Sequence, residues 1–201
     1  MGSEVDHVAA AMTALRGGGQ RVDAASDHVP HRAGLYAVHA ESAIWRLLGL
    51  EDRDGPLYVG KAERSLASRD VRTHFATGKT GSSTVRRSFA ALLRHPLGLH
   101  AVPRNTAKPC HFSNFAVEPD GDARLTEWMR ENLTLAVWAK PDGAALRPLE
   151  IGVLAGWSPP LNLTDVPRPW PQLKAARKVM ADEARAWVHG MPGVPASGAS
   201  D

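Results

Sequence analysis

Three short apolar segments constrain the fold of this chain most. Residues 34–40, 57–61 and 133–141 are each too short for a typical helix and carry alternating or clustered apolar side chains, which is typical of β-strands. Stretches with helical apolar spacing or capping residues surround them, at 3–15, 65–76, 85–95, 123–132, 144–157 and 170–189. This order predicts an α/β (α+β) fold, with a small, mostly antiparallel three-stranded sheet flanked by helices.

The length of 201 residues suggests one core with extensions at both ends. We expect an N-terminal extension with a short helix over 1–30, a central domain over 31–165, a C-terminal helix over 166–190 and a disordered tail over 191–201. The lone Cys110 excludes an intramolecular disulfide and a thiolate-rich zinc site. No apolar run reaches the ~18 residues of a membrane span, and the N-terminus does not read as a signal peptide. We therefore expect a cytoplasmic protein with no membrane partner.

Positive charge is concentrated in one part of the chain. The net charge is only +3, but the 34 residues from Lys61 to Arg94 hold eight Lys and Arg against two acidic residues, a balance of +6. Such a segment is typical of a surface that binds phosphate, although a charged run is often only a solvated face. This distribution of charge therefore favours a function that involves a nucleic-acid partner.

Several residues that could carry chemistry follow one another in the chain. The two tyrosines of the sequence each lie in a predicted strand, as Gly34-Leu35-Tyr36 and as Tyr58-Val59-Gly60. The next predicted helix carries Arg69 and His74, and Glu150 and Asn162 come at the end of the predicted core. No phosphate-binding glycine loop, zinc-protease motif or serine-hydrolase elbow is present.

With these residues in this order, residues 33–163 resemble the GIY-YIG nuclease superfamily. The two tripeptides match its two signature motifs, Lys61-Ala62 follows the second as in many members, and the segment 81–89 is similar to a stretch in the family. The resemblance implies a GIY-YIG-like catalytic domain over 31–165. It also implies an endonuclease that hydrolyses DNA phosphodiester bonds by direct attack of water, with a divalent metal, Mg²⁺ or Mn²⁺, as cofactor.

The same resemblance implies a role for each candidate residue. The catalytic set is Tyr36, Tyr58, Arg69, His74 and Glu150, of which Glu150 is the metal ligand; the substrate-binding set is Lys61, Arg72, Arg86, Arg87 and Asn162. A permanently charged guanidinium suits the phosphate in the transition state, and one carboxylate suffices for magnesium, which keeps most of its waters. Asn162 fits better as a residue that holds the fold or orients Glu150 than as one that reacts.

Alternatives remain open at three positions. His74 follows Arg69 by five residues where the family usually has four, and Arg72 competes for the arginine role. Glu127 and Glu131 are rival acids, but they precede the third strand, whereas the family's glutamate follows it.

The function itself has two further alternatives. A catalytically weak or inactive nucleic-acid-binding or regulatory module would share the scaffold and still bind DNA in a salt-dependent way. A purely protein-interacting domain would not retain DNA at all. A monomer and a homodimer are both compatible with the sequence.

Overall fold

The computed structural model describes residues 4–17, 19–22, 29–67 and 74–189 of the chain. The α-helices in these ranges are α1 Glu4–Arg16, α2 Ser42–Leu47, α3 Thr84–Leu92, α4 Pro119–Asn132, α5 Leu146–Trp157 and α6 Pro171–His189. The strands are β1 Gln20–Arg21, β2 Gly34–His39, β3 Tyr58–Ala62, β4 Ala101–Val102, β5 Ala116–Val117 and β6 Thr134–Ala139. The fold is mixed α/β with an antiparallel sheet, which confirms the predicted class. The prediction of a disordered tail at 191–201, and half of the helix predicted at 65–76, lie outside the described residues. Of that predicted helix, residues 65–67 are not helical and residues 74–75 are.

The main sheet has the order β1-β6-β2-β3, and all of its neighbouring strands are antiparallel. The three predicted strands form its centre and one edge. The fourth strand, β1, was not predicted, because two residues cannot display an alternating pattern. In the described residues β3 is an edge strand, so the groups that cover its free side decide how this edge is protected.

One face of this sheet packs against α1 and α5. Ala11 and Leu15 of α1 are fully buried in the same apolar cluster as side chains of β2, β3 and α5. Helix α1 approaches α5 closely at Gly152, where an added Cβ would lie 2.7 Å from a methyl group of Val8. The N-terminal helix, which the sequence suggests is an extension, therefore contributes directly to the core.

The chain divides into two compact units, one of Met1–Ala76 with Thr126–Pro171 and one of Thr77–Leu125 with Gln172–Asp201. The first contains the main sheet with α1, α2 and α5. The second contains α3, the small β4–β5 sheet and most of α6. This division cuts across the single domain expected over 31–165, whose boundaries stay a prediction.

Local signals explain the start of α3 in the second unit. The hydroxyl of Ser83 accepts a hydrogen bond from the backbone N–H of Arg86 at 3.1 Å, which is the N-cap that the sequence predicts at Ser83 or Thr84.

Among the described residues, no helix has both the length and the apolar character needed to cross a membrane.

Candidate active site

Tyr36 and Tyr58 lie side by side on one face of the main sheet. In the β2–β3 register Tyr36 is opposite Gly60 and Val38 is opposite Tyr58, so the two phenol rings project from the same face. Their ring centroids are 6.2 Å apart. The absence of a side chain at Gly60 makes this possible, because an ideal Cβ there would lie 2.9 Å from Cε1 of Tyr36 and closer still to Cζ and Oη. The glycine of the second tripeptide therefore makes room for the tyrosine of the first.

His74 joins this tyrosine pair. Its Nε2 atom and the phenolic oxygen of Tyr36 are 2.6 Å apart and share a hydrogen bond, and the two ring centroids are 5.5 Å apart. Tyr36 is only 1% exposed and His74 is half-buried, so the bond lies in a partly desolvated setting where it is stronger than in water. A phenol that is hydrogen-bonded to an imidazole has a proton acceptor at hand, which is an arrangement suited to acid–base chemistry.

Lys61 and Glu150 form a second group, at the same edge strand. The Lys61 ammonium contacts Glu63 at 2.8 Å and Oε2 of Glu150 at 3.5 Å. The Arg147 guanidinium contacts the same Oε2 at 3.1 Å and binds both carboxylate oxygens of Asp165, at 2.9 and 2.7 Å. The Glu150 side chain is only 11% exposed, so two cations neutralise a carboxylate that is largely withdrawn from water.

The hydrogen bonds and charges within this second group shift the pKa values of three of its members. The hydrogen bond to Glu63 is the largest cause that raises the pKa of Lys61, and the charge of Glu150 adds to it. Hydrogen bonds from Arg147 lower the pKa of Asp165, and hydrogen bonds to Asp165 and then Glu150 raise the pKa of Arg147. At neutral pH Lys61, Arg147 and Asp165 are therefore all charged, and the group is an ionic network.

Asn162 holds the free side of β3. Its side-chain oxygen accepts the N–H of Val59 at 2.9 Å and its amide nitrogen donates to the carbonyl of Val59 at 2.8 Å. The neighbouring Leu161 N–H donates to the carbonyl of Leu57 at 3.0 Å. Asn162 is 7% exposed and replaces a neighbouring strand for one residue of the edge.

The two groups flank one strand. Because side chains alternate along a strand, Tyr58 and Gly60 project from one face of β3, and Val59 and Lys61 project from the other. The main sheet therefore brings the two tyrosines together on one face, where His74 joins them from outside the sheet, and Lys61 meets Glu150 of α5 on the opposite face of the same edge strand. Convergence of all of them on one substrate stays a prediction.

The family model of the GIY-YIG catalytic domain matches residues 46–179, more than half of the chain. The chain belongs to the GIY-YIG family. The match begins after the first tripeptide, which the β2–β3 register nevertheless sets directly against the second. Membership supports a nuclease-type function in general. Searches of the curated proteins and of the solved structures give no significant match.

The two predicted phosphate contacts on α3 need a correction. Arg86 is completely buried and pairs with Asp122 at 2.9 Å, and Arg87 is 7% exposed and donates to the carbonyls of Thr80 and Gly81. Both guanidinium groups therefore bind groups of their own unit instead of facing solvent. The sequence suggested otherwise because a buried arginine and a solvated one look alike until the partner acid is known.

The remaining predicted residues have different outcomes. Arg69 and Arg72 lie outside the described residues. The rival acids Glu127 and Glu131 are exposed on α4. Sequence reasoning missed Arg147 and Asp165, although the three-residue spacing from Arg147 to Glu150 on one helix is a signal for an ion pair.

The residues present fit a magnesium site with a single protein ligand. In the described ranges, no group of three or more His, Cys, Asp or Glu side chains could hold a metal by itself. Mg²⁺ does not need such a cage, because it commonly uses one or two carboxylates together with water and substrate phosphate. Glu150 supplies one carboxylate at the sheet edge, beside the positively charged Lys61.

Proposed function

We propose that this GIY-YIG protein is an endonuclease that hydrolyses DNA phosphodiester bonds by direct attack of water, with Mg²⁺ or Mn²⁺ as cofactor. The observation that carries the proposal is the 2.6 Å hydrogen bond between Tyr36 and His74, beside Tyr58 on the family's paired strands. Tyrosine and histidine in direct hydrogen-bond contact can relay a proton, which hydrolysis by water requires.

Each residue has a defined part in this proposal. Tyr36 takes the proton of the attacking water as its own proton passes to Nε2 of His74, and the neighbouring Tyr58 orients the water. Lys61 binds a phosphate oxygen. Arg69 neutralises the charge that develops on the phosphate, because a fixed cation is most effective where charge appears in the transition state.

Glu150 would hold the metal. When bound there, a divalent cation supplies Lewis-acid stabilisation of the phosphate and of the departing oxygen. Asn162 acts as a positioning residue in this proposal, since its two hydrogen bonds to Val59 fix the strand that carries Tyr58 and Lys61.

Plasmid nicking with Mg²⁺ or Mn²⁺, against EDTA, tests the proposal. We expect Tyr36→Phe and His74→Ala each to lower the cleavage rate by about 10²- to 10⁴-fold, the usual contribution of a proton-transfer group. Glu150→Gln should abolish metal-dependent cleavage while the fold is retained. Glu131→Gln is the matched control, because Glu131 is an exposed acid on α4, and it should leave the rate unchanged.

The alternative of an inactive DNA-binding module gives a different result. The wild-type protein would then retain DNA in a salt-dependent manner without nicking it under any metal condition. Cleavage by a folded, contaminant-free Glu150→Gln protein would remove the proposed role of Glu150.

A further inference from the structure

Arg147 occupies an unexpected place beside the proposed metal ligand. Its Nη1 atom lies 3.1 Å from Oε2 of Glu150, and the Lys61 ammonium lies 3.5 Å from the same oxygen. A divalent cation that binds this carboxylate therefore approaches two positive charges that already contact it. Repulsion from both must weaken cation binding in the protein without substrate.

Asp165 determines how strongly Arg147 acts on Glu150. It accepts two hydrogen bonds from the Arg147 guanidinium, in the bidentate arrangement that holds arginine most firmly. Asp165 also has a φ of 61°, in the left-handed region, which aspartate and asparagine tolerate better than most residues. The Arg147 guanidinium therefore contacts two carboxylates, those of Asp165 and Glu150. Without the Asp165 carboxylate, Glu150 would be its one remaining acidic partner of the two.

DNA would reverse this balance. A phosphate at the site carries negative charge and attracts guanidinium and ammonium groups. Arg147 is half exposed, and its guanidinium can exchange the single contact with Glu150 for the phosphate while Asp165 keeps it in place. Loss of the Arg147 contact removes the nearer of the two cations at Oε2, and the phosphate itself offers oxygen ligands to the divalent cation. Each ligand then favours binding of the other, which is a reciprocal coupling between two sites.

We propose that Arg147, positioned by Asp165, makes divalent-cation binding at Glu150 depend on DNA phosphate. The inference rests on the proposed function, because it takes Glu150 as the metal ligand. Arg147 acts here as a positioning residue that changes the affinity of Glu150 for the cation. Its effect on the cation is electrostatic, so it does not require Arg147 to take part in the chemical step.

The test measures Mn²⁺ binding by the full chain with electron paramagnetic resonance, without DNA and with a duplex whose phosphodiesters are phosphorothioates that resist cleavage. We expect the wild-type protein to bind Mn²⁺ at least about tenfold more tightly with DNA. Arg147→Gln should bind Mn²⁺ about threefold to fivefold more tightly than wild type without DNA, and its gain from DNA should shrink. The change is this small because Arg147 is half exposed and solvent screens its repulsion of the cation.

A second variant is expected to change Mn²⁺ affinity in the opposite direction. Asp165→Asn keeps a residue that tolerates the left-handed backbone but releases Arg147 to Glu150, so it should weaken Mn²⁺ binding without DNA. If these two residues only stabilised the fold, both substitutions would change Mn²⁺ affinity in the same direction. Arg32→Gln is the matched control, because Arg32 is similarly exposed and pairs with Asp142 at 2.7 Å, and it should leave Mn²⁺ affinity unchanged.

Two results would overturn the inference. One is an Arg147→Gln protein that binds Mn²⁺ no more tightly than wild type while Glu150→Gln abolishes binding, which would leave the proposed metal ligand intact. The other is wild-type Mn²⁺ binding that is absent, or unaffected by Glu150→Gln, with and without DNA. That result would also remove Glu150 as the metal ligand and with it this part of the proposed function.

Discussion

Gly60→Ala offers a sharp test of the tyrosine cluster, because one methyl group should disturb it without removing any of its polar groups. An ideal Cβ at Gly60 lies 2.9 Å from Cε1 of Tyr36 and closer to Cζ and Oη, well inside van der Waals contact. Tyr36 is 1% exposed and cannot yield without moving the ring that binds His74. Overpacking of this kind typically costs about 1–3 kcal/mol.

The loss of a glycine also has a smaller, stabilising effect on the free energy of unfolding. Replacing glycine by alanine restricts the unfolded chain and stabilises the folded state by about 0.4–1 kcal/mol where the backbone permits. The net loss in the free energy of unfolding should therefore be about 1–2 kcal/mol. A displacement of the phenol by about 1 Å should also lower the cleavage rate by about 10²-fold, because proton transfer needs close alignment.

Urea unfolding and plasmid nicking measure the two effects on the same protein. Gly17→Ala is the control, because no atom lies within 4 Å of its ideal Cβ and its backbone is not left-handed. Its stability should stay within about 0.5 kcal/mol of wild type. In a Tyr36→Ala background Gly60→Ala should cost almost nothing. Full activity and full stability of Gly60→Ala would refute the close approach of Tyr36 to β3.

Three further predictions concern stability. Asp122→Ala should lower the free energy of unfolding by about 3–5 kcal/mol, because it leaves the buried Arg86 charge without its acidic partner. The double variant Arg86→Met, Asp122→Leu should lose less stability in urea unfolding, and an equal loss would contradict the explanation. Asn162→Ala should cost about 2–4 kcal/mol in urea unfolding, since both backbone groups of Val59 lose a partner. Burial lowers the pKa of His39 from 6.5, so the melting temperature should fall as pH drops below about 6.5, and His39→Gln should flatten that part of the curve relative to wild type.

Local patterns in the sequence predict the elements of this fold well. The three main strands, the N-cap at Ser83 and the helices α3 to α6 all lie where apolar spacing and caps put them, within a few residues. These signals are local, because a strand or a helix turn displays its period over consecutive residues. The short β1 strand carries no such period and went unpredicted.

The candidate site is only partly predictable in this way. The two tripeptides identify Tyr36 and Tyr58, and the order of later residues suggests His74 and Glu150. No pattern shows that Arg86 is an interior residue, because its partner Asp122 lies 36 residues away. The same holds for Asp165, which binds Arg147 across 18 residues of chain.

The sequence alone determines the strands and helices and the presence of a paired-tyrosine motif, because these depend on the chemistry of neighbouring residues. Only the tertiary structure decides that Gly60 lies beneath the Tyr36 ring, that His74 meets its phenol, and that Arg147 and Lys61 share one oxygen of Glu150. Such contacts depend on strand register and on packing between distant segments. A shift of one residue in register would reverse the face of every side chain, and no local pattern specifies that choice.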